Sequence, residues 1–104
     1  MIRVTVLYPN KPDAKFDFDY YVNKHFKTAN EKLVPMGLVK AEVDKGLGGL
    51  QPGSPPPYVT IAYMVFNSIE DFQKALGAHG DELMADVPNF TNIEPQMQIS
   101  EIVM

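Results

Sequence analysis

A chain of 104 residues, 45% of them hydrophobic, has room for one globular domain, residues 1–104, and none for a second. It contains no cysteine, which excludes disulfide stapling, thiolate catalysis and thiolate metal sites. Its net charge is −4, with nine basic residues scattered among thirteen acidic ones, so no electropositive stripe is offered to a nucleic acid.

The N-terminus lacks a basic segment followed by a long apolar one, and no apolar run approaches the ~18 residues of a membrane span. A cytoplasmic protein with no membrane partner is expected. A domain this small buries roughly two-thirds of its unfolded surface, and such a core often leans on a partner subunit.

Residues Ile2 to Tyr8 alternate, with Ile2, Val4, Val6 and Tyr8 on one side and Arg3, Thr5 and Leu7 on the other, which is strand spacing. Pro9-Asn10-Lys11-Pro12-Asp13 stops both strand and helix. A helix capped near Asp17 then runs to about Leu33, with Phe18, Val22, Phe26, Ala29 and Leu33 as its apolar stripe. Tyr21 and His25 are four residues apart and so neighbours on one helical face, at the edge of that stripe. Pro35-Met36-Gly37 ends the helix.

Leu38 to Leu47 is a second strand. The stretch from Gly46 to Pro57 is a long glycine- and proline-rich connection, a kind that tends to be functional or mobile; it is expected to border the pocket entrance or the partner. Tyr58 to Phe66 is apolar on both faces and must be covered on both. Two helices cover one face of the sheet; the candidate for the other is a second copy of the chain.

Ser68, followed by Glu70 and Asp71, starts a second helix. Its stripe is Ile69, Phe72, Leu76, Leu83 and Val87, with His79 at the edge. Gly77 and Gly80 foreshadow a break or close packing there. The last strand spans Ile93 to Val103. The order strand, helix, strand, strand, helix, strand gives an α+β fold: a ferredoxin-like βαββαβ four-stranded antiparallel sheet with two helices on one face.

A pocket between helices and sheet would then be mostly apolar, with a few convergent polar groups: Tyr8, Tyr21, His25, Tyr63 and His79, and beside them Phe18. His25 can serve as general acid or base at neutral pH, and Tyr21 as donor to a developing enolate or phenolate. The alternative for His25 is a structural histidine bonded to a backbone carbonyl. His79 either meets His25 across the helices or simply packs beside two glycines. Two histidines without a placed carboxylate fall short of a metal-ligand set, so no metal is expected. Asp17 is explained by capping, and Asp86-Val87-Pro88-Asn89 by helix exit and turn. Gly46-Leu47-Gly48-Gly49 precedes no helix and is no phosphate loop.

Two segments carry a family resemblance. Tyr8-Pro9-Asn10, Phe16-Asp17, Tyr20-Tyr21 and His25 resemble the N-terminal signature of the EthD family, named for ethyl tert-butyl ether degradation. Gly77-Ala78-His79-Gly80-Asp81 and Asp86-Val87-Pro88-Asn89-Phe90-Thr91-Asn92 match it again near the C-terminus. The resemblance implies a homodimeric α+β barrel, two sheets packed face to face. It implies a role in small-molecule catabolism, oxidoreductase-associated or as a binding or accessory protein for an oxygenase. Similar barrels include cofactor-free monooxygenases, lactone isomerases and polyketide cyclases, so no cofactor is implied.

Overall fold

The computed structural model describes all residues, Met1–Met104. Strands β1 (Ile2–Pro9), β2 (Leu38–Lys45), β3 (Tyr58–Phe66) and β4 (Gln96–Glu101) form one sheet in the order β2-β3-β1-β4. Every neighbouring pair is antiparallel. This is the ferredoxin-like arrangement expected from the element order. No helix is long and apolar enough to cross a membrane.

Alternation in β1 settles which way the sheet faces. Val4 pairs with Met64 of β3 and Ile99 of β4, and Val6 with Ala62 and Met97. Directly opposed residues share a face. That face carries both helices: Val4, Phe66 and Leu38 pack with Ala29 and Leu33 from the first helix and Phe72 and Ala75 from the second. Phe66 is fully buried, a contribution of about 1.5–3 kcal/mol.

The first helix is continuous over residues 18–33 but not uniform. Asp17 caps it, its side chain accepting from the Tyr20 N–H. After one α turn the helix widens into a π-helical stretch, Tyr21–Phe26, and then returns to α, Lys27–Leu33. A π stretch inserts about one residue per turn and rotates what precedes it. An uninterrupted α-helix would align Val22 with Phe26, Ala29 and Leu33; here Tyr21 takes that place and is buried. Val22 is 48% exposed. The expected stripe is therefore corrected at this position.

The second helix, Ile69–Ala85, is capped by Ser68, whose oxygen accepts from the Asp71 N–H. It runs through Gly77 and Gly80 without a break, contrary to one expectation. Phe72, Ala75 and Gly80 form its buried line, whereas Ile69 and Leu76 are more than two-fifths exposed. Strand β4 is shorter than expected because Ile93 is buried in a separate turn before it. The Gly46–Pro57 connection is tied down at its end, Asn10 donating from its backbone to Pro57 and from its side chain to Pro56.

The opposite face of the sheet carries no helix. Arg3, Thr5 and Leu7 lie beside Val65, Tyr63 and Ile61, flanked by Lys40, Glu42 and Asp44 and by Gln96, Gln98 and Ser100. The two central strands thus carry Leu7, Ile61, Tyr63 and Val65 beside Arg3 and Thr5, between polar edge strands.

Candidate functional site

The widened turn of the first helix points Tyr21 inward, against Tyr8 from the end of β1. Their rings meet edge to face at 5.8 Å. Both side chains are buried. Burial pushes the Tyr8 phenol up to about 12, and burial, followed by the neighbouring Tyr8, pushes Tyr21 well above the ordinary phenol range. At neutral pH both are held protonated and can only donate, or accept as neutral oxygens.

His25 stacks on Tyr21 at 5.4 Å with 20° between the planes, and Phe90 packs against both rings, 4.7 Å from His25 and 4.9 Å from Tyr21. The imidazole side chain is 11% exposed. Its Nδ1 lies 2.9 Å from Asp86 Oδ2. The other carboxylate oxygen accepts from the Tyr20 hydroxyl at 2.7 Å and from the Asn89 amide at 2.8 Å. Burial of the Asp86 carboxyl opposes its ionisation, but the bonds from Asn89, Tyr20 and His25 and the attraction of His25 outweigh it. The group is held below the ordinary carboxylate range.

An ionised Asp86 that already accepts two donors on one oxygen requires a third donor on the other. The Nδ1 of His25 therefore carries a proton, and in the neutral form of the ring Nε2 is the acceptor. No group of the chain hydrogen-bonds that nitrogen.

His25 forms part of the wall of an apolar cavity of about 80 Å³ between helices and sheet. Tyr8 and Tyr21 are the other polar side chains of its lining; Val6, Ala62, Phe72, Leu83, Met84 and Met97 are among the apolar ones. The same histidine borders an open polar depression with Tyr20, Lys24, Thr28, Asp86 and Asn89. It thus stands between the apolar cavity and the polar depression.

The structure brings together Tyr8, Tyr21 and His25 from the expected set. Phe18 does not line the cavity: it packs on Phe16 at 4.6 Å with Lys45 Nζ 5.0 Å above its ring. His79 is also outside the cavity lining, half-buried on the second helix. Tyr63 lies on the helix-free face, 6.0 Å beneath the Arg3 guanidinium, because it pairs with Thr5 rather than with the inward residues of β1. Its expected place in the helix–sheet pocket is corrected.

Asp86 is the residue that sequence reasoning passed over. A carboxylate at a helix C-terminus is disfavoured by the helix dipole, and that misfit is the signal that marked it. Phe90 was missed with it. The two segments singled out in the sequence are in fact one structure. Phe90 accepts from the Asp17 N–H, Thr91 donates to Lys15, and Asn92 accepts from the Lys15 N–H and donates to Asp13. These bonds clamp the start of the first helix onto the exit of the second.

The EthD domain model matches residues 11–94, which include the second of these segments and the first from Phe16 onward. The chain belongs to the EthD family. An EthD-like protein of Ralstonia eutropha JMP134 is similar at 37% identity, with a TM-score of 0.93 over 99% of this chain and 92% of that one. An ethyl tert-butyl ether degradation family protein of Bacillus halodurans C-125 is 21% identical, with a TM-score of 0.67 over 99% of both chains. The cofactor-independent oxygenase SnoaB of Streptomyces nogalater, in a mutant form, shares the fold alone. It is 11% identical, with a TM-score of 0.62 over 99% of this EthD chain and 92% of its own. Among curated proteins, none matches.

Proposed function

We propose that this EthD-family protein takes a small, mainly apolar organic molecule with one carbonyl or phenol oxygen into the cavity between helices and sheet, and moves a proton there. His25 Nε2 removes a proton from the carbon beside the carbonyl, or from the phenol, and becomes imidazolium. The electron pair left behind passes to the oxygen, as enolate or phenolate. Tyr21, with Tyr8 beside it, donates a hydrogen bond to that oxygen. Return of the proton from His25 to a different atom completes an isomerisation or cyclisation, and the proton balance closes without a cofactor.

One observation carries this reading: a histidine of the cavity wall whose Nδ1 is held by a carboxylate while its Nε2 has no hydrogen-bond partner in the chain. Asp86 orients the ring and stabilises the imidazolium, the division of labour found in other base–orienter pairs.

The cavity is smaller than the ~300–1,000 Å³ usual for ligand sites. Met84 and Met97, each nearly half exposed, have flexible side chains that can move aside for a ligand. A lining of fifteen hydrophobic residues out of eighteen also favours a second reading, a non-catalytic binding or accessory protein for an oxygenase. The proposed assembly is a homodimer through the helix-free sheet face, whose Val65 is buried even in the single chain.

Thermal-shift screening of phenols, cyclic ketones, lactones and ethers, followed by NMR mapping of each ligand that binds, tests the site. Perturbation centred on Tyr8, Tyr21 and His25 is expected. Perturbation centred on Tyr63, or no stabilisation by any of these classes, overturns the proposal.

A further inference from the structure

Gly80 sits in the middle of the second helix, where glycine costs stability relative to alanine, and it is buried. A buried helical glycine usually allows another backbone to approach closely. Here nothing approaches. A Cβ built on Gly80 would meet only Leu76 of its own helix, at 2.8 Å from Cδ1 and 3.2 Å from Cγ; no other residue comes within 4 Å. Gly80 and Leu76 both line the apolar cavity. The end of the half-exposed Leu76 side chain therefore occupies the place that a Cβ of residue 80 would take, and it is the missing methyl that seats it there.

We infer that Gly80 determines the size of ligand that the cavity admits, resting on the reading that this cavity is the binding site. At about 80 Å³ the cavity is small, and one added methyl at Gly80 crowds its wall. That methyl also displaces Leu76 from its seat over the glycine. Gly77, three residues earlier, is the built-in control: it is exposed, and a Cβ there would meet nothing.

The test is calorimetric titration of phenol and p-propylphenol into the wild type, Gly77→Ala, Gly80→Ala and the double variant Gly80→Ala with Leu76→Ala. Gly77→Ala is expected to bind both phenols as the wild type does, with a Tm higher by about 4–8 °C. Gly80→Ala is expected to hold its Tm at or above the wild type. It should bind p-propylphenol about 10–200-fold more weakly, the range for a methylene in an apolar pocket, and phenol far less affected. Adding Leu76→Ala should restore p-propylphenol binding. Equal affinity of Gly80→Ala and wild type for p-propylphenol overturns the inference, as does equal weakening for both phenols. A wild type that binds neither phenol overturns the site reading itself, which is a separate outcome.

Discussion

Replacing Asp86 with Asn tests the electrostatics of the site without changing its shape. The Oδ1 position accepts from two donors, the Tyr20 hydroxyl and the Asn89 amide, whereas Oδ2 faces only His25 Nδ1. An asparagine must turn its NH2 to one side. Facing Tyr20 and Asn89 would oppose two donors; facing His25 opposes one, and that one can yield by moving its proton. The expected result is therefore a tautomer switch, with Nδ1 accepting from the introduced amide and Nε2 now carrying the hydrogen. The nitrogen beside the cavity becomes a donor and loses its ability to accept a proton. Loss of the charge-assisted bond to His25 in favour of a neutral one costs about 1 kcal/mol, and removing a carboxylate from a helix C-terminus returns about 0.3–1 kcal/mol. The Tm should then stay within about 8 °C of the wild type, while proton transfer falls by about 10²–10⁴-fold. The nitrogen-15 shifts of the imidazole report the tautomer directly. A His25 that keeps its proton on Nδ1 in the folded variant refutes the reasoning. The same carboxyl predicts an acid dependence. Its folded value lies below the ordinary 3.8, so the stability it adds is full above that value and is lost as pH falls through the folded one. Asp86→Asn should flatten this part of the acid limb, as followed by thermal unfolding.

Three further outcomes follow from groups around the site. The Tyr8 phenol rises from 10.0 to about 12 on folding, so the stability carried by its neutral form is intact below pH 10.0 and is lost as pH rises through about 12. Tyr8→Phe should resist alkaline unfolding in that window, measured by circular dichroism. Thr60 is fully buried with its hydroxyl unpartnered; Thr60→Val should stabilise by about 1 kcal/mol in urea unfolding, and a loss of that size would show that the hydroxyl has a partner. Ile61 lies on the helix-free face beside Leu7, so Ile61→Glu should convert a dimer into an 11.6 kDa monomer in light scattering. A wild type that is already monomeric at micromolar concentration removes the dimer proposal.

The fold was readable because the alternation in β1, the apolar run of β3 and the two caps, Asp17 and Ser68, follow local rules. The site was readable only in part. Tyr21 and His25 adjoin at any helical spacing, but the burial of Tyr21 in place of Val22 depends on the π turn, which no periodicity marks. Tyr63 was misplaced because a strand apolar on both faces gives no internal clue to which face meets the helices; pairing with Thr5 decides it. Asp86 is remote in sequence from His25 and looks like an ordinary helix exit until the fold brings the two together. Gly80 was legible as an anomaly, but its meaning depends on the cavity opposite it.

Proton transfer by His25 Nε2 inside the cavity is measured directly by isotope exchange. Cyclopentanone in D2O, with the wild type and His25→Ala at ligand-saturating concentration, gives by proton NMR the rate at which the hydrogens beside the carbonyl are replaced. The account predicts exchange by the wild type and a loss of about 10²–10⁴-fold in His25→Ala, with binding of the ketone retained. Equal exchange by both proteins, or binding without any exchange by the wild type, would contradict it.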